Sequence, residues 1–172
     1  MSCSLARTLG VIGDRWTPLV LRDIALGISR FDAIQRNLGV SRRVLTERLT
    51  ALVDDEVVDR VTYQEHPPRY DYRLTQKGSE LIVALLGLQA WGDRWMSDET
   101  GPPVLWRHLL CGQVSEPRVV CSCCGEPLRV GEAVPYLGPG ASAGPGTTEV
   151  PAAIARLQAL VGSGGEAQPP QT

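Results

Sequence analysis

Four of the five cysteines, Cys111, Cys121, Cys123 and Cys124, crowd into fourteen positions, and His108 stands three residues ahead of the first. The spacing makes two pairs, His108-x2-Cys111 and Cys121-x2-Cys124, nine residues apart, with Gly112 and Gly125 directly after the second member of each. Glycine there lets the backbone turn tightly around an ion. Four neutral or deprotonated N and S donors closing a tetrahedron suit structural Zn2+. The gap is short beside that of common zinc ribbons and fingers, and Cys123 is a spare thiol able to replace a neighbour. Unligated thiols and reversible disulfide chemistry remain open for the same residues. An odd cysteine count argues against a disulfide framework. Bound zinc would explain how so small and loop-rich a segment orders at all.

A second chemistry lies earlier in the chain. Between Arg30 and Arg48 five arginines (Arg30, Arg36, Arg42, Arg43, Arg48) face only Asp32 and Glu47, although the whole chain carries a net charge of -2. A guanidinium can fork onto guanine or hold a phosphate. The elements around these arginines decide whether they can reach DNA. A short helix is expected over residues 3–9. Trp16, Leu19, Val20 and Ile24 make the stripe of a second helix, with Pro18 in its first turn and Gly27 at its stop. A third helix over residues 31–38 breaks at Gly39. Ser41 then caps a fourth, residues 42–53, burying Leu45, Leu49, Leu52 and Val53. This turns Arg42, Arg43, Thr46 and Thr50 outward.

Two short strands follow, residues 57–63 and 70–75, separated by a loop whose prolines 67 and 68 forbid a regular ladder. Helix, glycine turn, capped helix and strand–loop–strand make a winged helix-turn-helix. A major groove about 12 Å wide admits one helix, whose first residues meet base edges. Those would be Ser41, Arg42, Arg43 and Thr46, with Thr50 further along and Arg69 in the wing at residues 57–75. His66, in the same loop, reads as solvent-exposed and takes no role. Thr75 caps a long helix reaching Met96, on which Leu81, Leu85, Leu88, Trp91 and Trp95 form one apolar stripe. A stripe that long at a domain edge asks for a second surface, and a homodimer supplies it.

The resemblance is carried by Cys3, GDRW at Gly13–Trp16, Arg30-Phe31, GVSRRVLTERLTAL at Gly39–Leu52, PPRYDYRLTQKG at Pro67–Gly78, and Trp91-Gly92. Over residues 3–98 the chain resembles the HxlR-type winged-helix regulators, relatives of the MarR type. The resemblance implies a homodimeric DNA-binding transcriptional regulator, bacterial in type, whose terminal helices pair. It also places a cysteine at position 3, which in some relatives senses oxidants or electrophiles. Standing just before a helix, where the positive end of the dipole favours a thiolate, Cys3 is a candidate redox site; a buried structural thiol is the alternative. Glu56 departs from the pattern, which has glycine in the turn into the wing. A positive φ would strain it, so a different local turn is expected.

The expected fold is mainly α with a small β-wing (α+β): a winged helix-turn-helix over residues 3–98, then a Cys-rich, zinc-ribbon-like module over residues 104–137. Residues 138–172 read as a flexible linker and tail with one short helix at about 152–160. No run approaches about 18 apolar residues, and MSCSLARTLGVIGDRW lacks the layout of a signal peptide, so a cytoplasmic protein is expected. No phosphate loop, Gly-x-Ser-x-Gly or His-Glu-x-x-His is present, and an open catalytic zinc would lack a clear base, so no enzyme is expected. The expected partners are a palindromic duplex operator, a second copy of the chain, and a small-molecule or oxidant effector. A winged helix that binds a protein instead of DNA is the rival, and the outward Arg42-Arg43 pair opposes it.

Overall fold

Short polar side chains set the helix boundaries. In the computed structural model, which describes residues 3–161, α1 spans Ser4–Ile12, three residues beyond the expected end. The Asp14 carboxylate then accepts the amides of Trp16 and Thr17, at 2.8 and 3.0 Å, and starts α2 (Thr17–Ala25) with Pro18 in the first turn. α3 (Phe31–Leu38) ends at left-handed Gly39. Ser41 caps α4 (Arg42–Asp54), its hydroxyl accepting the Val44 amide at 3.3 Å.

The wing is an antiparallel pair, β1 (Val58–Gln64) with β2 (Arg69–Leu74), in register from Val58↔Leu74 to Thr62↔Tyr70 and irregular beyond Thr62. The connection between α2 and α3 joins its edge: the Tyr72 amide donates to the Ser29 carbonyl at 2.8 Å, and Arg30 bridges Asp71. The turn into β1 corrects one expectation. Glu56 takes φ +57°, so the left-handed turn is kept and glutamate bears it. Thr75 fixes the turn from the other side. Its hydroxyl donates to the Glu56 carbonyl at 2.8 Å and accepts the Gly78 amide at 3.1 Å, opening α5 (Gln76–Met96). At Gly78 a Cβ would stand 2.2 Å from the Val57 carbonyl oxygen, so only glycine fits this crossing without displacement.

Val20, Leu21 and Ile24 of α2, Ile34 of α3, Leu45, Leu49 and Leu52 of α4, and Val57, Val58 and Tyr72 of the wing form the core. Each leucine fully buried in such a cluster contributes about 1.5–3 kcal/mol. Asp23 is fully buried among them. Its carboxylate accepts Arg22 at 2.7 Å and Asn37 at 2.7 Å, tying α2 to α3.

The chain groups into two compact units, residues 11–119 and, within the described range, residues 3–10 with 120–161. The first includes a two-residue ladder, β3 (Trp106–Arg107) with β4 (Val114–Ser115). The second includes α6 (Val150–Val161), which encloses the expected short helix. Residues 138–148 form turns and no regular element. The tail from Gly162 onward lies outside the described residues. Among the described residues, no helix is long and apolar enough to cross a membrane.

Candidate nucleic-acid interface

Because Leu45, Leu49 and Leu52 bury one face of α4, the opposite face is left to solvent, and Arg42, Arg43, Thr46 and Thr50 lie on it. Arg42 stacks 4.7 Å over the Phe31 ring, with its Nη1 3.5 Å from Asp32. The Thr46 hydroxyl donates to the Arg42 carbonyl at 2.9 Å. Arg43 donates to Glu47 at 2.9 Å, one turn on, and this carboxylate moves the guanidinium pKa upward. Both arginines are exposed. Exposed pairs of this kind are screened by solvent and contribute little, so a phosphate or base edge can take over either guanidinium at small cost.

Beside these side chains runs a groove of about 560 Å3 between α3, the start of α4 and the wing. Arg30, Arg36, Arg42 and Arg69 line it, with Asp32 the one carboxylate among its lining residues. Arg30 stacks 4.5 Å over Tyr63 and reaches Asp71 at 3.4 Å. On the wing itself Arg60 stacks 4.4 Å over Tyr70. Ser41, at the α4 cap, is exposed. Sequence reasoning counted Arg30 and Arg36 as local charge without placing them at the site; the charge excess was the signal that could have found them. Arg48, from the same run, belongs elsewhere: it reaches Asp14 at 3.2 Å and links α4 to the start of α2. Burial pushes the Asp14 pKa up, but hydrogen bonds from Thr17 and the Trp16 amide, together with Arg48, outweigh it and hold the carboxyl below its ordinary value.

The α5 stripe divides. Leu81 and Leu85, with Ile82, pack against the core of their own chain. Leu88, Trp91 and Trp95 are 63%, 59% and 69% exposed. The single-stripe expectation is thus corrected: the first turns of α5 pack on the core through Leu81, Ile82 and Leu85, and further along Ala90 is the buried residue while Leu88, Trp91 and Trp95 face solvent. Cys3 lies directly before α1, half-buried, and its carbonyl accepts the Arg7 amide at 3.0 Å.

The cysteine pairs fall in different units. In the first, His108 Nδ1 and Cys111 Sγ are 3.4 Å apart. In the second, the amides of Cys124 and Cys123 hydrogen-bond the Cys121 sulfur, with further bonds from their side chains, and lower its pKa. Among the described residues no group of three or more His, Cys, Asp or Glu side chains is arranged to hold a metal ion.

The sequence model of the HxlR-like helix-turn-helix matches residues 11–100. A protein of Mycobacterium tuberculosis (strain H37Rv), named an uncharacterized HTH-type transcriptional regulator, Rv3095, is 42% identical over 137 residues, covering 80% of this chain and 87% of its own. Among solved structures, the candidate transcription factor PA1607 superposes with a TM-score of 0.68 at 32% identity, over 78% of this chain and 94% of its own. The redox regulator HypR in its reduced form gives 0.51 at 31% identity, over 54% and 92%. The winged helix described above, the family match over residues 11–100 and relatives named as regulators agree, and the chain belongs to the HxlR-like helix-turn-helix family of transcriptional regulators.

Proposed function

We propose that the chain represses transcription as a homodimer on a palindromic duplex operator. Each protomer lays residues 42–53 in a major groove and sets the wing, residues 57–75, on the flanking backbone. The reading rests on one observation above others: the exposed first turn of α4 and the wing border a single groove lined by four arginines. A helix start reads bases while neighbouring cations hold phosphates in register. A role on operator DNA implies action in the cytoplasm, and membership of a regulator family supports that reading.

The test is titration of duplex operator, recovered by capture of genomic fragments, with wild type and with Arg42→Ala, Arg43→Ala and Arg69→Ala. Loss of a base-reading arginine costs about 1–3 kcal/mol and relaxes specificity at one position. Loss of a phosphate contact weakens all sequences alike and flattens the salt dependence by about one counterion. Arg69→Ala belongs to the second class. An Arg42/Arg43 double variant that folds and binds unchanged defeats the assignment.

The likeness to HypR, a redox regulator, favours a second reading in which an oxidant or electrophile acts through Cys3. The same titration decides it when wild type and Cys3→Ser are first treated with a mild oxidant. An identical response from both removes Cys3 as the sensor.

A further inference from the structure

Between α2, α5 and the segment that leads into β3 lies a cavity of about 390 Å3 that the DNA contact does not use. All of its lining residues fall within the unit of residues 11–119. Leu19 and Leu26 of α2 form one wall, Leu85 and Leu86 of α5 a second, and Val104 and Trp106 a third. The third wall lies past residue 100, where the match to the family model ends. It is tied to α5 at two points. The Trp106 Nε1 donates to the Gln89 Oε1 at 3.3 Å, and Arg94 pairs with Glu116, just past β4.

A space of this size falls at the lower end of small-molecule sites, about 300–1,000 Å3. Apolar walls gain from any body that takes them out of water, and the few polar groups decide which body it is. Besides the Trp106 N–H, three polar side chains reach the lining: Arg22, Gln89 and Asp93. Gln89 is held by Trp106. The Arg22 guanidinium donates to Asp23 twice, at 3.2 and 2.7 Å. Drawing it toward a bound anion would leave the fully buried Asp23 with only the neutral Asn37 amide, at a large cost. Asp93 is placed differently. It is half-buried, and among the described residues no hydrogen bond or ion pair engages its carboxylate. Arg94, next in sequence, is taken by Glu116. An apolar chamber whose one unanswered charge is a carboxylate, and whose wall includes an indole, has the composition that recognises an organic ammonium.

We propose that this cavity binds a small organic cation, with an apolar ring system seated among Leu26, Leu85 and Val104 and an alkylated ammonium directed to Asp93 and Trp106. The carboxylate supplies the opposite charge. The indole adds an attraction that favours a weakly hydrated ammonium over an inorganic ion. Leu88 also lines the cavity and belongs to the exposed stripe on which the proposed dimer rests, so the ligand adjoins that surface. None of the residues assigned to DNA takes part, so the two readings fail independently.

The test is calorimetric titration of the full chain with naphthylmethyl-trimethylammonium, beside naphthalenemethanol as the neutral body and naphthylacetate as the anion. The expected result is saturable binding of the cation, about tenfold tighter than the alcohol, with the anion weakest. Asp93→Asn should remove the advantage of the cation and leave the alcohol bound as before. Ala25→Trp, which puts a bulky side chain at an exposed lining position outside the core, should block both. Circular dichroism checks that the variants fold, and the ranking of the three probes on wild type decides without them. A cation that does not bind, or binds no better than the alcohol or the anion, overturns the site. So does a folded Asp93→Asn that keeps the preference, or a folded Ala25→Trp that binds as wild type does.

Discussion

Asp14 shows how much one side chain can organise. It supplies the opening of α2 with acceptors and holds Arg48 of α4, thirty-four residues away. Its pKa is lowered in the folded chain, so its stabilisation is fully present above the unfolded carboxyl pKa of about 3.9 and fades as pH falls through the lower folded value. Asn at this position keeps an acceptor but not the charge. We expect Asp14→Asn to be less stable than wild type at neutral pH by about 0.5–1 kcal/mol, the worth of the charge in its contact with Arg48, since asparagine caps a helix as well as aspartate does. That gap should narrow as pH drops below about 4. Urea midpoints at pH 7 and pH 3 check this, and an unchanged gap would leave the charge without a role. The link to Arg48 is not visible in the string GDRW, because that partner arrives from a distant helix. The Ser41 and Thr75 caps were legible, since capping is local chemistry.

At the scale of elements, the turn between α4 and β1 is where the chain departs from what its neighbours prefer. A left-handed non-glycine residue costs about 1–2 kcal/mol. Glycine relieves that cost but adds freedom to the unfolded chain, about 0.5–1 kcal/mol. Glu56→Gly is therefore expected to raise stability modestly, by about 0.5–1 kcal/mol, measured as a higher thermal midpoint. A decrease would mean that the glutamate side chain contributes more than the backbone loses. The sequence named the residue correctly and the turn wrongly. A pattern reports which residue is unusual, whereas the Thr75 and Gly78 contacts that hold the turn in place come from the cap and first turn of α5. The same reason hid the split in α5. Periodicity gives the stripe, but only the neighbours show which turns they cover.

For the whole molecule, the exposed half of that stripe carries the question of assembly. Leu88, Trp91 and Trp95 leave enough apolar surface on one helix for a second copy to cover. Sedimentation equilibrium should find a dimer for wild type and a monomer for Trp91→Glu with the helical circular dichroism retained. Wild type that sediments as a monomer at micromolar concentration would remove the homodimer and, with it, the palindrome. The arginine-lined groove was partly readable, since Arg42 and Arg69 follow from motif order. Arg30 and Arg36 did not, because they join only when α3 folds against the wing.

The division of α5 also makes it a mechanical element. Its first turns are clamped to the core that bears the reading helix, through Leu81, Ile82 and Leu85. Along its last turns Gln89 and Arg94 reach Trp106 and Glu116, while Leu88, Trp91 and Trp95 stay exposed. A helix of twenty-one residues is about 30 Å long. In the proposed dimer two such arms, joined at their far ends and anchored at their near ends, would act as a pair of tongs. A swing of about 5° at the joint carries the other end through about 2–3 Å over a 30 Å arm. Successive major grooves on one face of a duplex are about 34 Å apart, and a displacement of that size is enough to take one reading helix out of register. In that proposed dimer, a ligand or modification that altered the angle at the joint would release the operator without touching a single DNA contact.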